Sequence, residues 1–353
     1  MRVLITGGAG FVGSSLALHY REDYPQAEIV VLDNLRRRGS EINLRTFREK
    51  DIRFFHGDIR HFSDLEDLPG NYDIFIEASA EPSVLAGLKD SPSYLIQSNL
   101  VGSLHCLEFA RKRANRTLFL STSRVYSIDS LRSIPLKETE TRYVIDPSQS
   151  LPGLSERGIA EDFSTATARS LYGATKLASE LMAQEYAFTY GMKIVIDRCG
   201  VIAGRGQFGK VDQGVFTLWV ANHHFGKELK YIGFNGTGKQ VRDLLHPSDL
   251  YRLIQKQMDR AAEVSGKVFN VGGGEPISVS LRELTTLCRE ITGRTTAIGS
   301  VPETTPVDIP LYLTDATRVR ETFDWKPQMG TREIVEDIAA WIKENESTLR
   351  SIF

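Results

Sequence analysis

In the stretch SLYGATKLASELM (residues 170–182), Tyr172 and Lys176 stand four positions apart with only Gly, Ala and Thr between them. On a helix, residues i and i+4 share a face about one turn apart. A phenol and an ammonium would therefore project side by side, the raw material for proton transfer. Past Lys176 the chain runs through Ser179, Met182 and Tyr186 without a Gly or Pro, which predicts a helix. Taken alone, the pair also suits an ordinary amphipathic helix carrying a snorkelling lysine.

A second set of residues points to a ligand. RVLITGGAGFVGSSLA places Gly7, Gly10 and Gly13 between a strand pattern and a helix pattern. Such a turn needs residues without Cβ so that backbone can approach a pyrophosphate. The helix that follows offers free N–H groups and a positive dipole end, from Phe11 and Val12 onward. Twenty residues after Gly13, EIVVLDN ends in Asp33 and Asn34. A carboxylate there can accept both hydroxyls of an adenosine ribose and repels a 2′-phosphate, which argues for NAD. The run Arg36, Arg37, Arg38 leaves open either a 2′-phosphate contact or a solvated turn. Asp58, in HGDIR before Ile59, either reaches an adenine amino group or caps a strand.

The elements that must position these residues follow from the pattern. Apolar β-branched runs (RVLIT, EIVVLD, IRFFHGD, YDIFIEA, RTLFLST) alternate with helical segments, including one from Pro92 to Arg113. This is the signature of βαβ units and a parallel sheet covered on both faces. The pattern resumes with a helix around Leu171–Tyr190 and the strands KIVIDRC and KVFNVGG. Residues 127–169 are polar and loop-like, and a segment of that length suggests a lid. The expectation is a Rossmann-type, doubly wound α/β chain. A dinucleotide-binding domain spans 1–203, with 239–272 returning to it, and a smaller lobe takes 204–238 and 273–353.

Bulk properties narrow the partners. The 353 residues are 41 % hydrophobic and 25 % charged, with net charge −2. That favours neither nucleic acid nor an anionic membrane as the main partner. No run approaches 18 apolar residues, so no spanning helix is expected. Cys106, Cys199 and Cys288 are far apart and read as reduced, buried cytoplasmic thiols. His223 and His224 are adjacent and diverge on a helix, so no metal site is expected.

The motifs TGGAGFVG, VLDNL, GDIR, SNLVGS, LSTSRVY, YGATK and GKQVRDLLH together resemble the extended short-chain dehydrogenase/reductase family, from residue 5 to about 250. More narrowly, ETETRY, EDFS, YGATKLASE, VDQG and GTGKQVRD resemble its CDP-paratose 2-epimerase (CDP-tyvelose epimerase) group. The resemblance implies that Tyr172 is the general acid/base and that Lys176 binds the nicotinamide ribose. Thr122 would hydrogen-bond the reacting sugar oxygen, and Asn99 would support the cofactor site. A free phenol, with a pKa of about 10, is too weakly acidic to serve as a base at neutral pH. The Lys176 ammonium and an oxidised nicotinamide are the two cations expected to lower it. On the substrate side, Arg242 matches a family arginine that contacts a nucleotide diphosphate, through a planar fork that pairs two oxygens. Gln213 and Trp219, in the Gly209–Val220 segment, either read a pyrimidine or build the lobe. Asp243 and His246 are expected to anchor it.

Departures from the family pattern shape the reaction. Dehydratases of the family carry an Asp–Glu pair directly after the Thr; here Ser123 and Arg124 stand there. Without that acid, elimination of water is disfavoured, and Arg124 can hold a hydroxyl-rich or anionic ligand. The expected activity is epimerisation of a nucleotide-activated sugar, with NAD retained, C2 of a CDP-sugar favoured and a homodimer expected. Leu177, Leu181 and Tyr186 suit either a dimer contact or a core. A net oxidoreductase or 4-epimerase of the same fold, or a silent NAD-binding module, are the alternatives. Glu77 stands where the family often has His, and Thr305 where it has a second phosphate arginine. Whether Arg205 or Arg294 takes the place of the latter is left open by the sequence.

Overall fold

The structure, a computed structural model, describes residues 1–209 and 213–353. It divides into two compact units. The first comprises Met1–Val125, Leu171–Cys199 and Leu250–Phe269; the second comprises Tyr126–Ser170, Gly200–Asp249 and Asn270–Phe353.

The first unit is built on a seven-stranded sheet. Its strands are β1 (Arg2–Thr6), β2 (Glu28–Asp33), β3 (Arg53–His56), β4 (Ile74–Glu77), β5 (Thr117–Thr122), β6 (Ile194–Cys199) and β7 (Val268–Val271). The order is β7-β6-β5-β4-β1-β2-β3, the doubly wound arrangement expected from the alternating pattern. Neighbours run parallel, Leu4 opposite Val30 on one side of β1 and Phe75 on the other. The strand order reverses between β1 and β4, and open α/β sheets bind ligands beyond the strand ends at such a point. The near-continuous apolar strands are buried on both faces, Leu4, Val30, Leu32 and Phe75 packing with Phe109, and Phe119 with Ala183, Ile194 and Ile196.

Three helices matter for the site: α1 (Phe11–Asp23), α2 (Ser103–Arg113) and α3 (Leu171–Tyr190). The predicted Pro92–Arg113 helix is interrupted. A short α turn, Ser93–Ile96, passes into a π-helical turn, Gln97–Gly102, before α2 begins. Such turns insert one residue and often mark functional positions. Here the insertion accompanies Asn99, which is fully buried and bonds Glu81 twice: its Oδ1 accepts from the Glu81 N–H at 2.8 Å and its Nδ2 donates to the Glu81 carbonyl at 2.9 Å.

The second unit contains a four-stranded sheet from Val201–Ile202, Val241–Leu245, Ser278–Ser280 and Leu311–Tyr312. Leu229–Ile232 pairs in parallel with Ile298–Val301. Its core packs Phe216, Trp219, Leu244, Leu284, Ile334 and Ile338. Residues 127–169 are more structured than their polarity suggests. They hold the helix Ile128–Arg132 and two antiparallel pairs, Leu136–Glu138 with Tyr143–Ile145 and Leu154–Ser155 with Gly158–Ile159. The stretch is held by burial of Leu131, Ile134, Ile159 and Phe163 and by side-chain hydrogen bonds. Arg142 forks onto Glu283 (2.6 Å) and Ser278, and Asn270 accepts from the Tyr126 hydroxyl at 2.7 Å and donates to the Ile159 carbonyl at 2.8 Å.

Candidate active site

Tyr172 and Lys176 lie on the buried face of α3, in register one turn apart, as the spacing predicts. Lys176 is 1 % exposed, which rules out a snorkelling surface lysine. The Thr122 hydroxyl, at the end of β5, lies beside the Tyr172 phenol and favours its ionisation. Thr122 Oγ1 also accepts from the Arg124 N–H at 3.2 Å, so the turn that follows the strand orients the hydroxyl. One residue earlier, Ser121 donates to Glu180 of α3. Glu180 in turn takes Arg198 of β6 at 2.8 Å. This buried triad clamps α3 to the sheet one residue from Thr122.

The electrostatics differ from the expected ammonium–phenolate pairing. Burial pushes the Tyr172 phenol up to about 12, against the lowering effect of the Thr122 hydroxyl and the Arg124 guanidinium. Lys176 is engaged elsewhere: its Nζ lies 3.5 Å from Glu77 Oε2 and 4.1 Å from the centre of the Phe119 ring. Glu77 was visible in the sequence as a departure, but its pairing with Lys176, across 99 residues, has no local signal.

The glycine turn is a cradle. Gly7 has φ +65°, and a Cβ on it would lie 2.7 Å from the Ala78 carbonyl oxygen; a Cβ on Gly13 would lie 2.3 Å from the Gly7 oxygen. No side chain caps α1 and no acid occupies its first turn. The leading N–H groups of Phe11, Val12 and Gly13 thus meet no competing anion from their own cap. Asp33, closing β2, accepts from the Ala9 N–H (3.1 Å) and the Leu35 N–H (2.8 Å). Burial raises its carboxyl, and the nearby Asp58 charge adds to this. Asp58 is held by Arg60 at 2.7 Å and Asn34 at 2.8 Å, which keep it down at about 2 despite partial burial. Ile59 is buried beside it. The Arg36 guanidinium lies 3.8 Å from the centre of the Tyr94 ring, whose other cationic contact is Arg60 at 4.7 Å. A dinucleotide therefore fits this turn: a Cβ-free approach, an uncapped helix start and a carboxylate at the ribose position.

In the second unit, Arg242 donates to Asp308 Oδ1 at 3.2 Å and to the Ile309 carbonyl at 2.8 Å. Sequence reasoning missed Arg132, which reaches the same segment. Its guanidinium donates to the Thr305 carbonyl at 2.7 Å and the Asp308 carbonyl at 2.9 Å. The separation of more than 170 residues left no sequence signal. Arg205 pairs with Asp337 at 2.7 Å, and Arg294 bonds the His224 carbonyl. Gln213 is half-buried, its Oε1 without a hydrogen-bond partner. Trp219 is a core residue, stacked on Tyr231 and donating to Thr285 at 2.9 Å, so it builds the lobe and does not pack a base. Residues 210–212 of the same segment lie outside the described residues. Asp243 accepts from the Gly274 N–H, and His246 bridges Ser248 and Asp337, both as anchors. Among the described residues no cluster of His, Cys, Asp and Glu is placed to hold a metal ion, and no helix is long and apolar enough to cross a membrane. All three cysteines are free and buried.

The chain is similar to known proteins over nearly its whole length. A CDP-paratose 2-epimerase of Salmonella typhi is 29 % identical over 97 % of this chain and 99 % of its own. A dTDP-glucose 4,6-dehydratase of Streptomyces niveus is 26 % identical over 98 % of this chain and 94 % of its own. Among solved structures, a dTDP-glucose 4,6-dehydratase double mutant of Streptomyces venezuelae with NAD bound superimposes with a TM-score of 0.80 at 25 % identity, covering 100 % of both chains. A UDP-glucose 4-epimerase of Thermotoga maritima gives 0.78 at 23 %, covering 98 % of this chain and 100 % of its own, a likeness of fold. The model of the NAD dependent epimerase/dehydratase family matches residues 3–272. The chain belongs to that family: it is a Rossmann-type enzyme whose cofactor is NAD.

Proposed function

We propose that this enzyme epimerises a nucleotide-activated sugar, with C2 of a CDP-sugar favoured, by transient oxidation and re-reduction at one ring carbon. The observation that carries the reading is the Thr122 hydroxyl at the end of β5, beside the buried Tyr172 phenol of α3 and followed in the chain by Ser123 and Arg124. The pair can move a hydroxyl proton, while the next two positions offer no carboxylic acid to protonate a leaving hydroxyl. Bound NAD supplies hydride acceptance and return.

In this reading Thr122 and Tyr172 share the hydrogen bond of the reacting hydroxyl. Tyr172 takes its proton as the carbon is oxidised and returns it after the ketone has presented its other face. Lys176 binds the nicotinamide ribose. Gly7, Gly10, Phe11, Val12 and Gly13 take the pyrophosphate, Asp33 and Asn34 the adenosine ribose, and Asp58 and Ile59 the adenine, with Asn99 bracing the loop after β4. Arg124, Gln213 and Arg242 take the substrate. Arg132 provides the second guanidinium that Thr305 lacks, since it and Arg242 both converge on residues 305–309, where the Asp308 carboxylate holds one of them. We further place the enzyme in the cytoplasm, where its unbridged thiols are stable. We expect a homodimer through the outer face of α3, where Leu181 and Phe188 are 56 % and 88 % exposed. Tyr186 packs inward instead, against the core around Ala183.

Incubation with CDP-, UDP-, GDP- and ADP-sugars in D₂O tests the reading. Inversion of one centre with no solvent deuterium at that carbon is expected. Deuterium incorporation there would show enolisation and defeat the mechanism. Turnover that consumes stoichiometric NAD would favour a net dehydrogenase.

A further inference from the structure

Glu77 is the last residue of β4. Its side chain and that of Lys176 are each 2 % exposed, and the pair meets at 3.5 Å through Oε2 alone. Glu77 Oε1 is buried without a hydrogen-bond partner. A buried carboxylate satisfied through one oxygen costs stability unless its charge is needed where it stands. The groups that act on this pair are Ser103 and Cys106 from α2, Phe119 from β5, Tyr172 from α3 and Cys199 from β6, while Arg124, from the turn after β5, acts on Tyr172. Among them only Arg124 adds a further positive charge. Lys176 and Glu77 oppose each other in sign, so Tyr172 sits beside a near-neutral pair instead of a lone cation.

We propose that Glu77 is a positioning residue that holds the Lys176 ammonium at the end of β4 and thereby governs how readily Tyr172 gives up its proton. The functional meaning rests on Tyr172 being the acid/base; the electrostatic claim does not. A carboxylate beside a phenol opposes its ionisation directly, and it also cancels the ammonium that would favour it. Removing the carboxylate's charge acts on both in the same direction.

The test is titration of the Tyr172 ring in protein labelled with [ζ-¹³C]tyrosine, its resonance identified by its loss in Tyr172→Phe. Between pH 7 and about 11, wild type should stay a phenol. In Glu77→Gln the midpoint should fall by about one pH unit or more, into the observable range. In Glu77→Gln/Lys176→Met it should climb back out of it. Glu77→His, uncharged at these pH values, should behave like Glu77→Gln and serves if the amide variant does not fold. A Tyr172 resonance that remains un-ionised in both single variants would overturn the proposal. So would an equal fall in the double variant, which would assign the effect to repacking. If the midpoint moves but no nucleotide-sugar is turned over, the inference stands and the proposed reaction falls. If turnover is found and the midpoint is fixed, the reverse holds.

Discussion

Asp197 lies in the middle of β6, paired across from Leu120 of β5, and is fully buried. Its Oδ1 accepts from Gln257 Nε2 at 2.7 Å, but Oδ2 has no partner and neither does Gln257 Oε1. Burial therefore pushes its carboxyl from an ordinary 3.8 up to about 7. The folded chain holds this proton more tightly than the unfolded chain. The stabilisation is complete below about pH 4 and is lost as pH climbs to about 7. Roughly three pH units at about 1.4 kcal/mol each amount to about 4 kcal/mol, an order-of-magnitude figure. Asp197→Asn cannot ionise, and its amide can answer Gln257 Oε1. Urea unfolding of both proteins at half-unit steps from pH 4.5 to 8.5 reads the effect, and the difference between them cancels the other titrating groups. The variant should gain on wild type by about 1.4 kcal/mol per pH unit until about pH 7, then hold level. Stabilities that run parallel across this range would refute the assignment of a buried, proton-holding Asp197.

Two further perturbations follow from the site. Glu180→Gln strands the Arg198 guanidinium in the interior and should cost about 3–5 kcal/mol in urea unfolding, whereas Glu180→Met/Arg198→Met should cost clearly less because no charge is left unpaired. Arg132→Ala should raise KM for the nucleotide-sugar about tenfold with kcat little changed, as expected for loss of one charge-assisted contact to a bound phosphate; an unchanged KM would remove Arg132 from the substrate site.

Much of the nucleotide-binding unit is written in short-range pattern. Glycine spacing, β-branched runs and a carboxylate at a strand end are constraints that a few neighbouring residues satisfy together, so β1, α1, β2 and the turn between them are legible residue by residue. The Tyr172–Lys176 pair is legible for the same reason, because helix geometry alone brings i and i+4 together. The polar stretch 127–169 was harder to read. Its hairpins are stabilised by Arg142, Tyr126 and Asn270 bonds to distant partners, and such bonds leave no periodicity behind.

The site's chemistry divides along the same line. The sequence by itself determined which groups are available: a phenol, an ammonium, a hydroxyl and a glycine cradle, with Ser123 and Arg124 where an acid pair would serve elimination. Only the tertiary structure decided what those groups face. It set Lys176 against Glu77, brought Arg132 to the segment that Arg242 also reaches, sent Trp219 into the core, and buried the Tyr172 phenol so that desolvation raises it. The physical reason is that acidity and ion pairing depend on burial and on charges a few ångströms away, and packing brings those from residues a hundred or more positions distant in the chain.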